Sequence, residues 1–292
     1  MAKKKHLFIG FGDIAARCAK VLIAQGDEVV GVARTPRNDE AGLSFITGDA
    51  KSAEVLACIA EQSFESAVIT LSPSAYSEAD YRECYYDTSK TLLSLWAGKA
   101  NAPNKTLFIS STSVYSQNNG ELIDEESAAE PSSPTAKVLR ETESLFLESN
   151  LPTSVIRFSG IYGPGRDYLL RQVQKGNGGS AQYTNRIHVE DCCGVICFLI
   201  AQKTLHDVYL ASDDCPVTSK EIREWLADKL GVDGSTLMAS RTPGRGGSKR
   251  CSNQRLKSAG YTFKYPEYKK GYCHVISTFL GSSDSEGSSS SA

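Results

Sequence analysis

The stretch His6-Leu-Phe-Ile-Gly10-Phe-Gly12-Asp-Ile-Ala15 decides the fold of this chain. Its apolar start has the length of a buried strand, and a helical pattern follows the two glycines. A second apolar run, Glu28-Val-Val-Gly-Val-Ala-Arg34, comes directly after that helix. A strand, a glycine turn, a helix and a strand in this order predict the opening unit of a dinucleotide-binding fold.

The glycine turn predicts a phosphate-binding site. Gly10 suits a sharp backbone turn, Gly12 lets the backbone approach a pyrophosphate, and Ala15 lets the helix pack closely on the strand. The first helical residues, Asp13 and Ile14, would then direct free backbone N–H groups at the phosphates. The alternative is an ordinary glycine-rich turn in an α/β domain that binds no nucleotide.

The end of the second strand bears on the choice of cofactor. Cofactors with a free ribose 2′-hydroxyl usually meet Asp or Glu there, whereas this chain has Ala33-Arg34-Thr35. A guanidinium pairs well with a 2′-phosphate, so Arg34 favours NADP over NAD. The alternative is that Arg34 is a solvated charge at the end of a strand.

The composition excludes several classes of protein. The 292 residues are 40% hydrophobic and 23% charged, which is ordinary for a globular protein. A net charge of −2 gives no electrostatic case for binding nucleic acid or an anionic membrane. No segment has the pattern of a signal peptide or the length of a transmembrane helix. The nine cysteines lack metal-ligand spacing, so we expect no metal and a cytoplasmic protein.

Strand and helix patterns alternate through the first half of the chain. After the opening unit we expect further strands over 43–47, 66–71, 105–110 and 153–158. We expect helices over 13–25, 52–60, 78–98 and 134–149. Ile14, Cys18, Val21 and Leu22 predict the buried face of the first helix. This alternation predicts an α/β fold with a doubly wound parallel sheet (Rossmann) and a ligand at the carboxyl ends of the strands.

The chain divides into three parts by pattern. Residues 1–159 form the predicted NAD(P)-binding Rossmann core. Residues 160–280 add the remaining strands and a small C-terminal substrate-covering region, with helices expected over 189–201 and 219–230. Residues 281–292 are rich in Ser and Gly, which predicts a disordered tail.

Several stretches of the chain together resemble one family. The chain looks like the extended and atypical branches of the short-chain dehydrogenase/reductase superfamily, and most like its NAD-dependent epimerase/dehydratase group. The matching stretches, in the family's order, are Gly10–Ala15, Ile109-Ser-Ser-Thr-Ser-Val-Tyr115, Ile156-Arg-Phe-Ser-Gly-Ile-Tyr-Gly-Pro-Gly165, Asn185-Arg-Ile-His-Val-Glu-Asp191 and Val208-Tyr-Leu-Ala-Ser-Asp-Asp214. The resemblance implies a small-molecule substrate, no nucleic-acid or membrane partner, and leaves a homodimer open.

The family's catalytic pair is missing from its expected place. The resemblance implies a tyrosine and a lysine four residues apart on one helix. Aligning the Pro and Glu of Ser133-Pro-Thr-Ala-Lys-Val-Leu-Arg-Glu141 places Thr135 at the tyrosine and Leu139 at the lysine. Lys137 lies two positions further along than Thr135, about 200° around the helix, and is expected to face solvent. A shift of the helix register by a residue or two would bring Lys137 to the cofactor.

Other residues at family positions are candidates for the site. Ser111 matches the family's substrate-orienting Ser or Thr, and a cap on local backbone is the alternative. Tyr115 is a candidate substitute acid/base, with packing as the alternative, and Tyr162 is similar. Arg186 suits a substrate phosphate because its guanidinium makes bidentate contacts. The other predicted cofactor contacts are Asp49, Ser72 and Ser110.

Three functions fit these residues. The first is an NADP-dependent oxidoreductase or epimerase acting on a hydroxyl or carbonyl of a small polar metabolite or nucleotide sugar. The second is a redox-inactive NADP-binding sensor or scaffold, which the missing tyrosine and lysine favour. The third is an isomerase or lyase that binds NADP and uses other groups.

Overall fold

The computed structural model describes residues 3–240 and 246–287. The chain separates into two compact units. Unit 1 comprises the residues up to Tyr115, Ala128–Arg157 and Cys193–Tyr209, and unit 2 comprises Ser116–Ser127, Phe158–Cys192 and the described residues from Leu210 onwards. The domain boundaries predicted at residues 159 and 280 remain predictions.

The strands are short and are spread along the described chain. They are β1 Lys5–Ile9, β2 Glu28–Ala33, β3 Leu43–Thr47, β4 Ser66–Ile69, β5 Thr106–Ser111, β6 Glu121–Ile123, β7 Thr153–Phe158, β8 Gly160–Tyr162, β9 Asn177–Gly179, β10 Tyr183–Thr184, β11 Arg186–His188, β12 Val208–Ala211, β13 Val217–Thr218, β14 Met238–Ala239 and β15 Lys249–Cys251.

The helices alternate with the strands of the main sheet. They are α1 Asp13–Ala24, α2 Ala53–Ala60, α3 Glu78–Tyr81, α4 Thr88–Trp96, α5 Pro134–Leu147, α6 Tyr168–Gln174, α7 Val189–Ala201, α8 Ser219–Leu230, α9 Gln254–Ser258 and α10 Tyr268–Gly287. A π-helical segment, Arg82–Asp87, joins α3 to α4. Among the described residues, no helix is both long and apolar enough to cross a membrane.

The main sheet has seven strands in the order β12-β7-β5-β4-β1-β2-β3. The pairs β1–β2, β2–β3, β1–β4 and β4–β5 are all parallel. The strand order reverses on either side of β1, which confirms the doubly wound α/β fold expected from the sequence. Such a reversal leaves a crevice beyond the carboxyl end of β1, where the glycine turn lies.

Helix α1 packs by its small residues. Its buried positions are Ala15, Cys18, Ala19 and Leu22. The predicted face was therefore wrong at one position, because Val21 is 39% exposed while the alanines lie in the core. Alanine carries no bulk beyond Cβ, so these residues allow the close helix–strand packing that the sequence indicates at Ala15.

Three thiols meet in the core of unit 1. The sulfur atoms of Cys18, Cys193 and Cys197 all lie within 4.8 Å of one another. The Cys18 thiol donates to the Cys193 carbonyl at 3.9 Å. Burial raises the pKa of Cys18 well above its ordinary value, which keeps the neutral thiol. The neutral thiols therefore pack as small apolar side chains.

Candidate functional site

The turn between β1 and α1 has the backbone that the glycine pattern predicts. Gly10 has a φ of +93°, and a Cβ there would lie 2.7 Å from the Thr70 carbonyl oxygen. The Thr70 hydroxyl donates to the Gly10 carbonyl at 2.6 Å and fixes the turn against the end of β4. A side chain at Gly10 would be strained and would also clash, so the turn requires glycine.

A cleft of about 280 Å³ opens in unit 1 beside this turn. Five of the predicted cofactor residues line it together, namely Gly10, Gly12, Arg34, Asp49 and Ser72. A Cβ at Gly12 would meet no atom within 4 Å, so it would project into open space at the cleft. No side chain caps α1 at Gly12. The free backbone N–H groups at the start of α1 are therefore next to open space, which suits a pyrophosphate that accepts hydrogen bonds from them.

Positive charge collects at the end of β2. Arg34 is exposed and directly follows the strand. Arg37 lines the same cleft, donates to the Phe11 carbonyl at 3.2 Å and lies over the rings of Phe11 and Phe45. Neither arginine pairs with a carboxylate among the described residues, whereas nearby Lys51 pairs with Glu83 at 3.0 Å. Arg37 is a site residue that the sequence analysis missed.

Three other predicted cofactor contacts, Asp49, Asp13 and Ile14, differ in their hydrogen bonds and burial. Asp49 accepts from the Lys51 backbone N–H at 3.0 Å, which is the hydrogen bond of a turn-forming Asp. Asp13 accepts from Arg17 at 2.9 Å along the surface of α1. Ile14 is half-buried in the first turn of the same helix. Their contact with a cofactor remains a prediction.

Ser110 and Ser111 end β5 and have different surroundings. Ser110 is buried, and its hydroxyl donates to Glu143 at 2.6 Å. Ser111 is half-buried, and its hydroxyl accepts from the Ser113 backbone N–H at 3.1 Å. The local cap that the sequence offers as the alternative for Ser111 is therefore formed. A cap of this kind uses a lone pair and leaves the Ser111 hydroxyl proton available.

A buried charged network surrounds Tyr115. Glu143 is fully buried and accepts from Arg157 through both of its oxygens, at 2.7 and 3.0 Å. Arg157 also donates to the Tyr115 hydroxyl at 2.6 Å. This network gives the Tyr115 hydroxyl a structural partner, and its role as a substitute acid/base remains a prediction.

Helix α5 carries the positions of the missing catalytic pair. Its N-cap is Ser133, whose hydroxyl accepts from the Ala136 N–H at 3.4 Å. Thr135 and Leu139 are 5% and 4% exposed, so they share the buried face of the helix. Lys137 is exposed. Lys137 therefore lies on a different face of α5 from Thr135 and Leu139, and the alignment of these two residues with the family's catalytic pair remains a prediction.

Tyr162 and Arg186 lie in unit 2, on the paired strands β8 and β11. Tyr162 stacks on Tyr272 with ring centroids 4.5 Å apart. The Arg186 guanidinium donates to the Thr184 hydroxyl and lies 5.2 Å from the centre of the Tyr268 ring. Both residues are almost fully buried.

Asp213 is a buried acid that the sequence analysis missed. It is 1% exposed, and one of its oxygens accepts from the Cys215 N–H at 3.1 Å. Burial raises the pKa of Asp213 to about 7, and the Arg186 charge opposes this shift. The matching stretch ending Ser-Asp-Asp214 contains the residue, but nothing in the sequence tells which Asp is buried.

Asp191 anchors unit 2 internally. Its carboxylate accepts from the Lys264 and Tyr265 backbone N–H groups at 2.8 and 2.9 Å and from the Tyr261 hydroxyl at 2.9 Å. Through these hydrogen bonds the Asp191 carboxylate holds the segment 261–265 against α7. Asp191 is therefore a structural residue of the Asn185–Asp191 stretch.

Comparison with known proteins assigns the chain to a family. The family model described as "NAD dependent epimerase/dehydratase family" matches residues 10–210. The chain belongs to this family, and the resemblance seen in the sequence is confirmed. The family's description names NAD as its cofactor, and the open space at Gly12 and the uncapped start of α1 fit a dinucleotide.

Individual relatives cover nearly the whole chain. The chain is 26% identical over 282 residues to Protein YeeZ of Escherichia coli K12, with 90% of this chain and 97% of that protein covered. A structure from Methylobacillus flagellatus, described as an NAD-dependent epimerase/dehydratase, is 30% identical with a TM-score of 0.79. It covers 96% of this chain and 100% of its own.

A more distant structure supports the fold alone. The dTDP-glucose 4,6-dehydratase of Streptomyces venezuelae, determined with NAD bound, has a TM-score of 0.81 at 17% identity. The alignment covers 95% of this chain and 97% of that one. At this identity the match confirms the mainly parallel, helix-flanked sheet.

Proposed function

We propose that this protein binds NADP(H) and acts as an oxidoreductase or epimerase on a hydroxyl or carbonyl of a small polar metabolite or nucleotide sugar. The observation that carries the proposal is the unit 1 cleft, where Gly12 faces open space at the uncapped end of α1. In this reading residues 1–159 hold the cofactor and residues 160–280 cover the substrate.

The preference for NADP rests on two arginines. Arg34 and Arg37 line the cleft and have no carboxylate partner among the described residues. A 2′-phosphate would supply that partner, and guanidinium groups suit phosphate oxygens. No acidic residue follows β2 directly to receive a free 2′-hydroxyl. The anchoring of Arg37 on Phe11 and Phe45 reduces the entropy it loses on binding.

Proton transfer must come from groups other than the usual tyrosine and lysine. A bound nicotinamide cofactor supplies a hydride acceptor or donor, and this chain's residues supply orientation and protons. Ser111 keeps a hydroxyl proton while it caps local backbone. Tyr115 and Lys137 are the other candidates, and Lys137 is disfavoured by its exposure.

A second function has one observation in its favour. Thr135 and Leu139 occupy the buried face of α5 where the family's catalytic pair is expected. A threonine hydroxyl is too weakly acidic to replace a tyrosine, and leucine supplies no charge. These two residues favour a redox-inactive NADP-binding sensor or scaffold.

Turnover assays separate the two functions. Purified protein would be assayed for NADPH oxidation and NADP reduction against panels of carbonyl and hydroxyl compounds, sugar nucleotides included. The enzyme proposal expects slow turnover that Ser111→Ala or Tyr115→Phe reduces by about a hundredfold or more. Normal NADPH binding without any turnover would favour the sensor.

An engineered pair tests the alignment of the active site. Restoring the family residues in a Thr135→Tyr/Leu139→Lys double variant should raise turnover if these positions face the cofactor. Robust wild-type turnover that Ser111→Ala, Tyr115→Phe and Lys137→Met all leave unchanged would contradict the alignment.

A further inference from the structure

Three cysteines that are distant in sequence meet inside unit 1. Cys18 lies on α1, whereas Cys193 and Cys197 lie on α7. Cys18 and Cys193 are 175 residues apart along the chain, so no spacing pattern in the sequence reveals the group. Their three sulfur atoms nevertheless lie within 4.8 Å of one another. All three residues belong to unit 1, so the group is contained in one compact part of the molecule.

Two helices hold the three sulfur atoms in place. Cys193 and Cys197 are four residues apart on α7, which puts them on the same face, one turn apart. The Cys18 thiol donates to the Cys193 carbonyl at 3.9 Å, so α1 and α7 are in contact at this point. Cys18 is fully buried and Cys193 is 6% exposed, whereas Cys197 is half-buried. Cys197 is therefore the member of the group that retains contact with solvent.

The space between the three sulfur atoms has the size of a metal ion. A point between three atoms no more than 4.8 Å apart lies within about 2.8 Å of each of them, and metal–thiolate bonds are about 2.3 Å long. Each sulfur atom would therefore move by about half an ångström to reach bonding distance, which a small rotation of each side chain provides. The ion needs no cavity beyond the triangle of sulfur atoms.

The chemistry of these ligands selects the ion. Thiolates are soft ligands that bind Cu(I) or zinc, whereas Mg²⁺ and Ca²⁺ prefer oxygen. Structural zinc sites almost always have four ligands. Within the described parts of the chain, this group of His, Cys, Asp and Glu ligand atoms has three members. Three soft ligands suit Cu(I), a closed-shell ion that accepts trigonal coordination.

We propose that Cys18, Cys193 and Cys197 bind one Cu(I) ion in trigonal coordination. The thiolate is the form that binds a metal, so the ion displaces thiol protons, which pass to solvent. In the metal-free protein these thiols stay protonated and pack in the core. The bound ion links α1 to α7. It does not touch the unit 1 cleft, so the site is independent of the proposed function.

The test is a titration of the full chain with Cu(I) in oxygen-free buffer with ascorbate, in competition with the chromogenic chelator bathocuproine disulfonate. X-ray absorption at the copper edge then gives the number of sulfur ligands and their distances. The variants are Cys18→Ala, Cys193→Ala and Cys197→Ala. Cys58→Ala and Cys273→Ala are the matched controls, because both remove an exposed thiol outside the group.

One Cu(I) ion per chain is expected in the wild type, with three sulfur ligands at about 2.3 Å. Each of the three substitutions should weaken the Kd for Cu(I) by about a hundredfold or more, because the loss of an outer-shell group alone costs about 10–100-fold. The two control variants should bind as the wild type does. Circular dichroism checks the fold of each variant, and half-buried Cys197 keeps the test decisive if a core variant does not fold.

Four results would overturn the inference. They are failure of the wild type to compete with the chelator, unchanged affinity in every folded variant of the three, loss of binding in either control variant, and tighter binding of Zn(II) than of Cu(I). X-ray absorption showing nitrogen or oxygen ligands in place of sulfur would do the same. NADPH takes no part in these measurements, so each of these results leaves the proposed function standing.

Discussion

The unit 1 cleft and the buried polar cluster of unit 2 depend on different chemical groups. The unit 1 cleft depends on backbone, with Gly10 fixing the turn and Gly12 leaving space at a helix end. The region around Arg186 and Asp213 in unit 2 depends on buried side chains with unsatisfied atoms. Backbone sites of the first kind can be predicted from a sequence because Gly10 admits no side chain and a side chain at Gly12 would fill the space for a phosphate. A buried polar cluster becomes visible only once the burial of each side chain is known.

The largest expected effect tests the backbone site. Gly12→Val should weaken the Kd of NADPH into the millimolar range or beyond, because the branched side chain fills the space for a pyrophosphate. The Gly12 φ of −94° is acceptable to valine, so the fold should persist. Gly234→Val in unit 2 is the control, since a Cβ there also meets nothing within 4 Å. A folded Gly12→Val protein that binds NADPH normally would show that the cleft is not the cofactor site.

Asp213 should make the free energy of unfolding depend on pH. Its folded pKa of about 7 lies above the ordinary 3.8, so the folded state binds an extra proton between these values. Stability that depends on this group is therefore lost as pH rises from about 4 to 7. Relative to Asp213→Asn, the wild type should lose up to about 4 kcal/mol of unfolding free energy across that window.

Urea unfolding of both proteins between pH 4 and pH 8 measures this difference. Groups that titrate equally in both proteins cancel in the comparison. A difference in unfolding free energy that stays constant with pH would show that Asp213 is not a strained buried acid.

The Tyr115 network should matter for stability even if it has no catalytic role. Tyr115→Phe removes the acceptor from a buried arginine, which should cost about 1.5–3 kcal/mol of unfolding free energy. Tyr168→Phe, at a residue that is 72% exposed, should change stability by less than about 0.5 kcal/mol. Equal stability of the two variants, from urea unfolding, would mean that Arg157 does not depend on Tyr115.

The smallest expected effect concerns Lys137. Lys137→Met should leave stability within about 0.5 kcal/mol of the wild type and leave any turnover unchanged, because the side chain faces solvent. Lys105→Met is the contrasting variant, since Lys105 donates to the carbonyls of Leu199, Ile200 and Gln202. A large loss of turnover in Lys137→Met would show that this lysine reaches the cofactor.

Much of the fold could be predicted because strand and helix patterns, separated by turn residues, alternate through the first half of the chain. The strands predicted over 43–47 and 153–158 match β3 and β7. The helix predicted over 78–98 contains the π-helical segment Arg82–Asp87, which no apolar periodicity reveals. Ser52 is the N-cap residue of α2, and its side chain makes no capping hydrogen bond. In the segment predicted as a tail, α10 continues to residue 287, and residues 288–292 lie outside the described residues.

The candidate site could be predicted only where one residue type decides the geometry. Gly10 and Gly12 could be read directly, and Arg34 follows from its place after β2. Arg37 was missed because its anchoring on Phe11 depends on how the loop folds back. Asp213 was missed because sequence spacing cannot report which of two adjacent carboxylates is buried.

Calorimetry with NADPH and NADH on the wild type and on Arg34→Ala measures whether the unit 1 cleft prefers a cofactor with a 2′-phosphate. We predict that NADPH binds the wild type about tenfold to a hundredfold more tightly than NADH, since one charged contact contributes about 1.5–3 kcal/mol. Arg34→Ala should lose much of this preference while keeping its affinity for NADH. Equal affinities of the wild type for the two cofactors would contradict the account.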